Sequence, residues 1–299
     1  MTINRNRRRG RPLGDRLFSI GNGAFMVILA LSILYPFWQT LILSLSGPQS
    51  AMSLGVHLWA QEWSLDAYRF LFSYEDIYGA YINTIVRTLV GTVVIVMFTV
   101  AAAYPLSKRE LPYRNTLTIF FLIPMFFSGG LIPTYLLIRQ IGLIDHFLVL
   151  ILPGAVSIFS VIIMRNFFMT IDKAFEESAF IDGANYLTLL IRIILPISVP
   201  VLATIALWAA VSHWNAWFDA MIYIRDRDKT VIQLILREML TAVNQQASDV
   251  ASFGASHAEL TLNNVRAAIV LISIGPIVLV YPYIQKYFVK GITLGSLKG

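Results

Sequence analysis

Cysteine is absent from the 299 residues, which excludes a disulfide framework, a zinc–thiolate centre and a cysteine nucleophile. Charge is scarce too: 13% of residues are Asp, Glu, Lys or Arg, against about 25% in a soluble globular domain. The four histidines, His57, His146, His213 and His257, are scattered and show no His-Glu-x-x-His spacing for zinc. There is no Gly-x-Ser-x-Gly elbow to activate a serine. A Gly-x-x-x-x-Gly-Lys-Ser/Thr loop for nucleotide phosphates is also missing, so any ATP chemistry must come from a separate polypeptide. These absences leave little room for a hydrolase.

Hydrocarbon fills the chain instead. Hydrophobic residues make up 57% of it, and the mean hydropathy is +0.69. Six apolar stretches lie at 22–45, 82–106, 115–138, 146–169, 199–224 and 266–288. Each is long enough to cross a hydrocarbon core of about 30 Å as a helix. Pro36, Pro124, Pro133, Pro153, Pro276 and Pro282 fall within them, as membrane helices allow when neighbours satisfy the freed carbonyls. The sequence therefore predicts an all-α membrane protein with six transmembrane helices. It divides into a basic arm at 1–21, a membrane domain at 22–289 and a tail at 290–299.

The net charge of +6 points to topology and not to nucleic acid, because Arg5, Arg7, Arg8, Arg9, Arg11 and Arg16 crowd the region before the first apolar run. That run, from Phe25 to Leu45, exceeds a signal-peptide core of about 7–15 residues and reads as an uncleaved first span, although Ser44-Leu45-Ser46 offers a small-x-small site. Lys108, Arg109 and Arg114, then Arg165, Lys173 and Arg192, then Lys286, Lys290 and Lys298 mark further basic segments. They alternate with the acidic or balanced segments 47–80, 139–145 and 225–265. Both termini and the 171–196 loop are thus expected on the cytoplasmic side. The segment 47–80 has several aromatics and a possible helix start at Ser64, and 240–264 is small and polar. Either is a landing surface for an external partner or a solvated connector.

The 171–196 loop is polar and amphipathic between apolar runs. Asp172 is placed to cap a helix, with Glu176 and Glu177 in its first turns, where the helix dipole favours carboxylates. Phe175, Ala179 and Asp182 fall near one face, beside Phe180 and Ile181. Gly183 suits a left-handed helix stop. A second helix over 184–194 is expected before Pro196. Exposed apolar side chains here call for a partner groove or a membrane surface.

Read from Glu177, the pattern Glu177-Ser178-Ala179, Gly183, Ile193, Leu195 and Pro196 resembles the cytoplasmic EAA loop of binding-protein-dependent ABC importer permeases, with Ser178 in place of the first Ala. Arg165-Asn166-Phe167-Phe168, Ile181-Asp182-Gly183-Ala184, Trp214-Asn215, Lys286-Tyr287-Phe288-Val289-Lys290-Gly291 and Gly295-Ser296-Leu297-Lys298-Gly299 resemble the carbohydrate-uptake branch, both maltose-type and oligosaccharide or polysaccharide permeases. The resemblance implies a type I importer bundle in the bacterial cytoplasmic membrane. Its implied partners are a second, homologous permease subunit, an ATP-binding subunit dimer and an extracytoplasmic solute-binding protein, with a carbohydrate as cargo, membrane lipid around it and no cofactor. It also implies that Phe175, Glu177, Ser178, Ala179, Phe180, Ile181, Asp182, Gly183, Ala184 and Pro196 couple the bundle to the ATPase. A permease for a non-sugar solute and an ATP-independent secondary transporter are the alternatives.

Polar and aromatic groups inside spans mark candidate solute contacts. The fifth run is the densest, with Trp208, His213, Trp214, Asn215 and Trp217 beside Ser212 and Asp219; interfacial anchoring and helix–helix bonding are the competing roles. Tyr35, Gln39, Asn83, Thr84 and Arg87 are weaker candidates, and Arg87 is expected to snorkel or pair.

Overall fold

The computed structural model describes residues 13–47, 58–60, 62–252, 263–279 and 282. Most of the basic arm, the tail 290–299 and the end of the sixth apolar run, with Lys286 to Gly291, lie outside them. The chain divides into two compact units: Met1–Phe70 with Val243–Leu271, and Leu71–Ala242 with Ile272–Gly299. Among the described residues the regular structure is helical, apart from a single antiparallel bridge between Ser46 and Trp63.

In the first unit, α1 (Leu13–Ser44) runs through Pro36 without a break. An 18-residue window of its apolar segment Leu17–Ser44 has no buried residue, a surface suited to lipid or to another helix, and burial begins only at Ile42 and Ser44. Its end is tied down by polar contacts. The Ser44 and Tyr68 hydroxyls lie 2.9 Å apart, Gly47 N–H donates to the Glu62 carbonyl, and Asn264 Nδ2 donates to the Ser46 carbonyl at 2.7 Å. The short helix α2 (Asp66–Phe72) starts where the Ser64 hydroxyl accepts from Asp66 N–H, close to the expected start.

The second unit is built on α3 (Asp76–Ser107), whose 32 residues make it about 48 Å long. It packs against α6 (Ile158–Thr170) and α10 (Val199–Asn215). Gly91 permits a close approach: a Cβ added there would overlap the His213 imidazole on α10. Arg87, one turn earlier and 2% exposed, donates from Nε to the Leu150 carbonyl, from Nη1 to the Ala216 carbonyl and from Nη2 to Asp219. Arg87 pairs, as expected of a cation in an apolar bundle.

Straight spans are fewer than the apolar runs suggest. Among the described residues, only Leu17–Ser44 and α3 are long and apolar enough to cross a membrane alone. The third run splits into α4 (Arg114–Phe126) and α5 (Leu131–Gln140), bent by 110°. The break falls at Ser128-Gly129-Gly130, where Gly130 has φ +83° and Pro133 follows in the first turn of α5. The fourth run opens with 3₁₀ turns over 147–154 and bends by 48° into α6, whose first turn is capped by Ser157. The fifth run, 199–224, breaks after Asn215 at the end of α10, and its remainder forms the short α11 (Phe218–Tyr223). Beyond it lie α12 (Ile232–Ser252), with side chains described to Gln245, and the apolar α13 (Asn263–Leu279).

One end of α3 is held by the segments around it. Arg227 pairs with Asp76, Asn83 Nδ2 donates to the Asp228 and Thr230 carbonyls, and Thr84 Oγ1 accepts from Ile232 N–H. At the same end Asp145, itself at φ +61°, accepts from the Arg225 and Asp226 N–H groups, each at 3.0 Å. Those two donors hold its carboxyl below the usual range, with Lys229 adding to the effect.

The Gly91 crossing is testable. Gly91→Leu forces an isobutyl group into the His213 ring and should destabilise the helix pair by about 1–3 kcal/mol. Thermal unfolding of the detergent-solubilised protein is expected to shift downward, and His213→Ala in the same chain should recover part of the loss.

Candidate functional site

The loop expected to carry function sits at the opposite end of α3 from Asp76. It leaves α6 at Thr170 and forms α7 (Ala174–Ile181). The Asp172 carboxylate accepts from Ala174 N–H at 3.0 Å, as its position predicts. Gly183 then stops the helix at φ +79°. Ala184 N–H reaches back to the Ala179 carbonyl at 2.9 Å and Gly183 N–H to that of Phe180 at 3.0 Å. That pair of bonds is the Schellman ending, which needs a left-handed residue at Gly183.

The second helix differs from the expected 184–194. Asn185 caps it, its side chain accepting from Thr188 N–H at 2.8 Å, so α8 (Tyr186–Leu189) begins two residues later. A π turn over Leu190–Ile194 follows, then α9 (Leu195–Ile197). Pro196 lacks the N–H that would bond the Arg192 carbonyl, which favours the widened turn before it. At Ser198 the path bends by 81° into α10, and the Ser198 hydroxyl and N–H both bond the Ile194 carbonyl. Pro196 therefore lies within the bend that joins the loop to the bundle.

Packing sorts the predicted loop residues into two groups. Ala179 is buried against Tyr104, Met164, Phe168 and Leu189, with Ala184 partly buried beside them. Phe175, Glu177, Ser178, Phe180, Ile181, Asp182 and Gly183 are exposed. The expected face of Phe175, Ala179 and Asp182 is thus corrected: Ala179 turns inward, because a small side chain lets α7 sit close to the core, while the other two stay outside. Ile181 is 86% and Leu187 63% exposed, and the Phe180 ring meets Tyr186 edge-on at 5.1 Å. Ser178 is exposed, so nothing within the chain demands alanine there.

The anchoring pair is one that sequence reasoning missed. Lys108, just past the end of α3, forms an ion pair with Glu176, and its ammonium also lies 4.5 Å from the Tyr104 ring centre. Tyr104 Oη donates to the Tyr186 carbonyl at 3.4 Å. Glu177, the acidic residue of the motif, makes no ion pair among the described residues. Lys108 and Glu176 are 68 positions apart, so local spacing carried no signal of their contact. Beyond these bonds, α8 and the 108–112 turn face one another across a mostly apolar cavity of about 620 Å³ that includes Pro105, Pro112 and Leu187 in its wall.

The five residues singled out in the fifth run do not converge. Trp208 packs on Phe159 at 5.8 Å, His213 covers Gly91, and Asn215 Nδ2 donates to its own helix at the Val211 carbonyl. Trp214 Nε1 donates to the Ser273 carbonyl at 3.0 Å, and Trp217 lies under the Arg237 guanidinium at 3.5 Å.

Over residues 77–294 the sequence matches the family described as binding-protein-dependent transport system inner membrane component. The chain belongs to this family. It is a family of transporter permeases and not of enzymes, and the apolar helices accord with its place in the membrane. Among its relatives is the polygalacturonan/rhamnogalacturonan transport system permease protein YtcP of Bacillus subtilis (strain 168), 38% identical over 95% of this chain and 99% of that one. Protein LplC of the same organism is 37% identical over 95% and 96%. Among solved structures, a chain of a bacterial ABC transporter involved in the import of the acidic polysaccharide alginate superposes with a TM-score of 0.81. It is 34% identical, and the match covers 93% of this chain and 98% of that one.

In this permease, Lys108→Glu should loosen α7, raising amide exchange across 174–181 roughly fivefold for about 1 kcal/mol lost. Adding Glu176→Lys restores opposite charges and should return exchange toward the parent rate. Equal exchange in all three proteins would show that the ion pair does not hold the loop.

Proposed function

We propose that this protein is one permease subunit of an ATP-driven oligosaccharide importer in the bacterial cytoplasmic membrane. A second permease subunit, a pair of ATPase subunits and an extracytoplasmic binding protein complete the assembly. Six membrane crossings are read from two long helices, three bent pairs and α13, with both termini and the 171–196 loop in the cytoplasm. The observation that carries the reading is an apolar, exposed helix–glycine–helix loop, fixed to the end of a membrane-length helix, in a chain of this family. The oligosaccharide cargo is carried over from what the relatives' names say of them.

In this reading, Phe175, Phe180 and Ile181 seat in a groove of the ATPase, with Glu177 and Asp182 at the rim. Closure of the ATPase pair pushes on α7. The Lys108–Glu176 pair passes the push to α3, and the π turn and the Ser198 bend absorb the change of angle toward α10. The binding protein delivers cargo at the Asp76 end of α3. A non-sugar cargo would leave this coupling unchanged, whereas an ATP-independent transporter has no use for the exposed loop.

Mild detergent extraction should bring down an ATPase with the tagged permease, and its absence would favour ATP-independent transport. Gly183→Val places a β-branched residue at a left-handed position, at a cost of roughly 1–2 kcal/mol or more, and should reduce ATP-driven uptake while membrane insertion stays normal. Gly183→Asn, which tolerates that conformation, should retain most uptake. Glu177→Lys should weaken ATPase retention. Normal coupled hydrolysis in both Gly183→Val and Glu177→Lys would refute the loop assignment.

A further inference from the structure

One face of α3 stays uncovered along much of its length. Val86, Val90, Val93 and Met97 follow one another at helical spacing and are 42% to 65% exposed. Ala101 continues the row, and Lys108 stands on the same line about two turns further on. A row of exposed hydrocarbon on a helix long and apolar enough to span a membrane faces lipid or another helix.

Near its Lys108 end the row enters the cavity of about 620 Å³ described above. Ala101, Tyr104 and Pro105 line it from α3, and Leu187 and Leu190 line it from the second half of the loop. Charge joins this lining only at Lys108 and Glu110, both past Ser107, the last residue of α3. The Lys108 ammonium already has Glu176 and the Tyr104 ring. Glu110 is exposed and enters no ion pair among the described residues.

Hydrocarbon along the span and charge just past its end is the profile of a phospholipid standing beside the helix. A partner helix would match the apolar row but has no need of a carboxylate and an ammonium at its end, whereas a zwitterionic headgroup uses both. Glu110 calls for a cation. A primary ammonium, with three N–H donors, suits it better than a quaternary one, which has none. The phosphate of the same headgroup complements Lys108 and the exposed Arg109.

We propose that the groove between the end of α3 and α8 holds one aminophospholipid, with acyl chains along the row from Val90 to Ala101, phosphate toward Lys108 and ammonium toward Glu110. The lipid packs on Leu187 beside the Lys108–Glu176 pair that holds α7, so headgroup chemistry reaches the loop. The proposal rests on the membrane reading above only in setting Lys108 at the boundary of the bilayer.

The full-length chain, purified in detergent with the subunits that accompany it, is stripped of lipid. It is then incubated with phosphatidylethanolamine, phosphatidylcholine or phosphatidylglycerol of equal acyl chains, and retained lipid is counted by native mass spectrometry. One phosphatidylethanolamine is expected to bind about fivefold more tightly than either of the others, as one partly exposed ion pair is worth. Ala101→Trp, which fills the groove from an exposed position, should lose that lipid with its melting temperature and subunit composition unchanged. Glu110→Gln should still hold one lipid but no longer prefer the ethanolamine headgroup. Equal retention of all three lipids by the parent overturns the proposal, as does a preference for phosphatidylglycerol. Parental retention in Ala101→Trp overturns it too, and so does loss of a second permease subunit from that variant, which would make the row a subunit interface. A parent that retains the lipid yet imports nothing on ATP refutes the importer reading and leaves the lipid site standing.

Discussion

The ion pair between Lys108 and Glu176 closes a circuit that the rest of this fold depends on. α7 is a short helix with an apolar outer face, and alone it would have little reason to hold one orientation. Ala179 packs it onto the α3–α6 core, the Schellman turn at Gly183 sets the direction of exit, and the ion pair fixes the helix to the tip of α3. The other route out of the loop is softer. There a π turn, a proline and an 81° bend separate α8 from α10. In the proposed coupling, a firm connection on one side and a bent one on the other would let a push on α7 arrive at the bundle with a direction.

The same helix solves the second problem of an apolar interior, which is where to put charge. Arg87 is buried within α3, and its guanidinium finds two carbonyls and a carboxylate. Removing Asp219 would leave the buried guanidinium without a counter-charge, which is far more damaging than losing a surface pair. The two carbonyls come from the 147–154 turns and from the break between α10 and α11, places where regular hydrogen bonding has already lapsed, and the carboxylate from the first turn of α11. Carbonyls freed by the breaks in the helices are reused to hold the arginine. Gly91 serves the neighbouring turn by letting the His213 ring approach the backbone.

Much of this was readable from local chemistry. The apolar runs at 22–45 and 82–106 end where α1 and α3 end, because a long hydrocarbon stretch has few alternatives to helix in a membrane, but both helices start earlier, at Leu13 and Asp76. Asp172 and Gly183 carried their cap and stop roles in their side chains. The bends were less readable: Gly129-Gly130 and the turns around Pro153 interrupt runs whose hydrophobicity is continuous. Long-range pairings left no local mark at all. Lys108 looked like an orientation charge and Glu176 like a dipole complement until the fold brought them together. Likewise Arg237 reads as an ordinary residue of a mixed-charge segment, and only its contact with Trp217 distinguishes it.

We propose that α7 and α3 move as one body while the π turn and the Ser198 bend flex. The chain has no native cysteine, so spin labels at Lys173 and Val94, and separately at Lys173 and Ala206, can be introduced without background. Pulsed dipolar distances in the assembled transporter would be compared between nucleotide-free and ATP-trapped states. An unchanged distance from Lys173 to Val94 and a displaced one from Lys173 to Ala206 are expected. A shift from Lys173 to Val94 approaching one helical turn, about 5.4 Å, with the other distance fixed, would contradict this proposal.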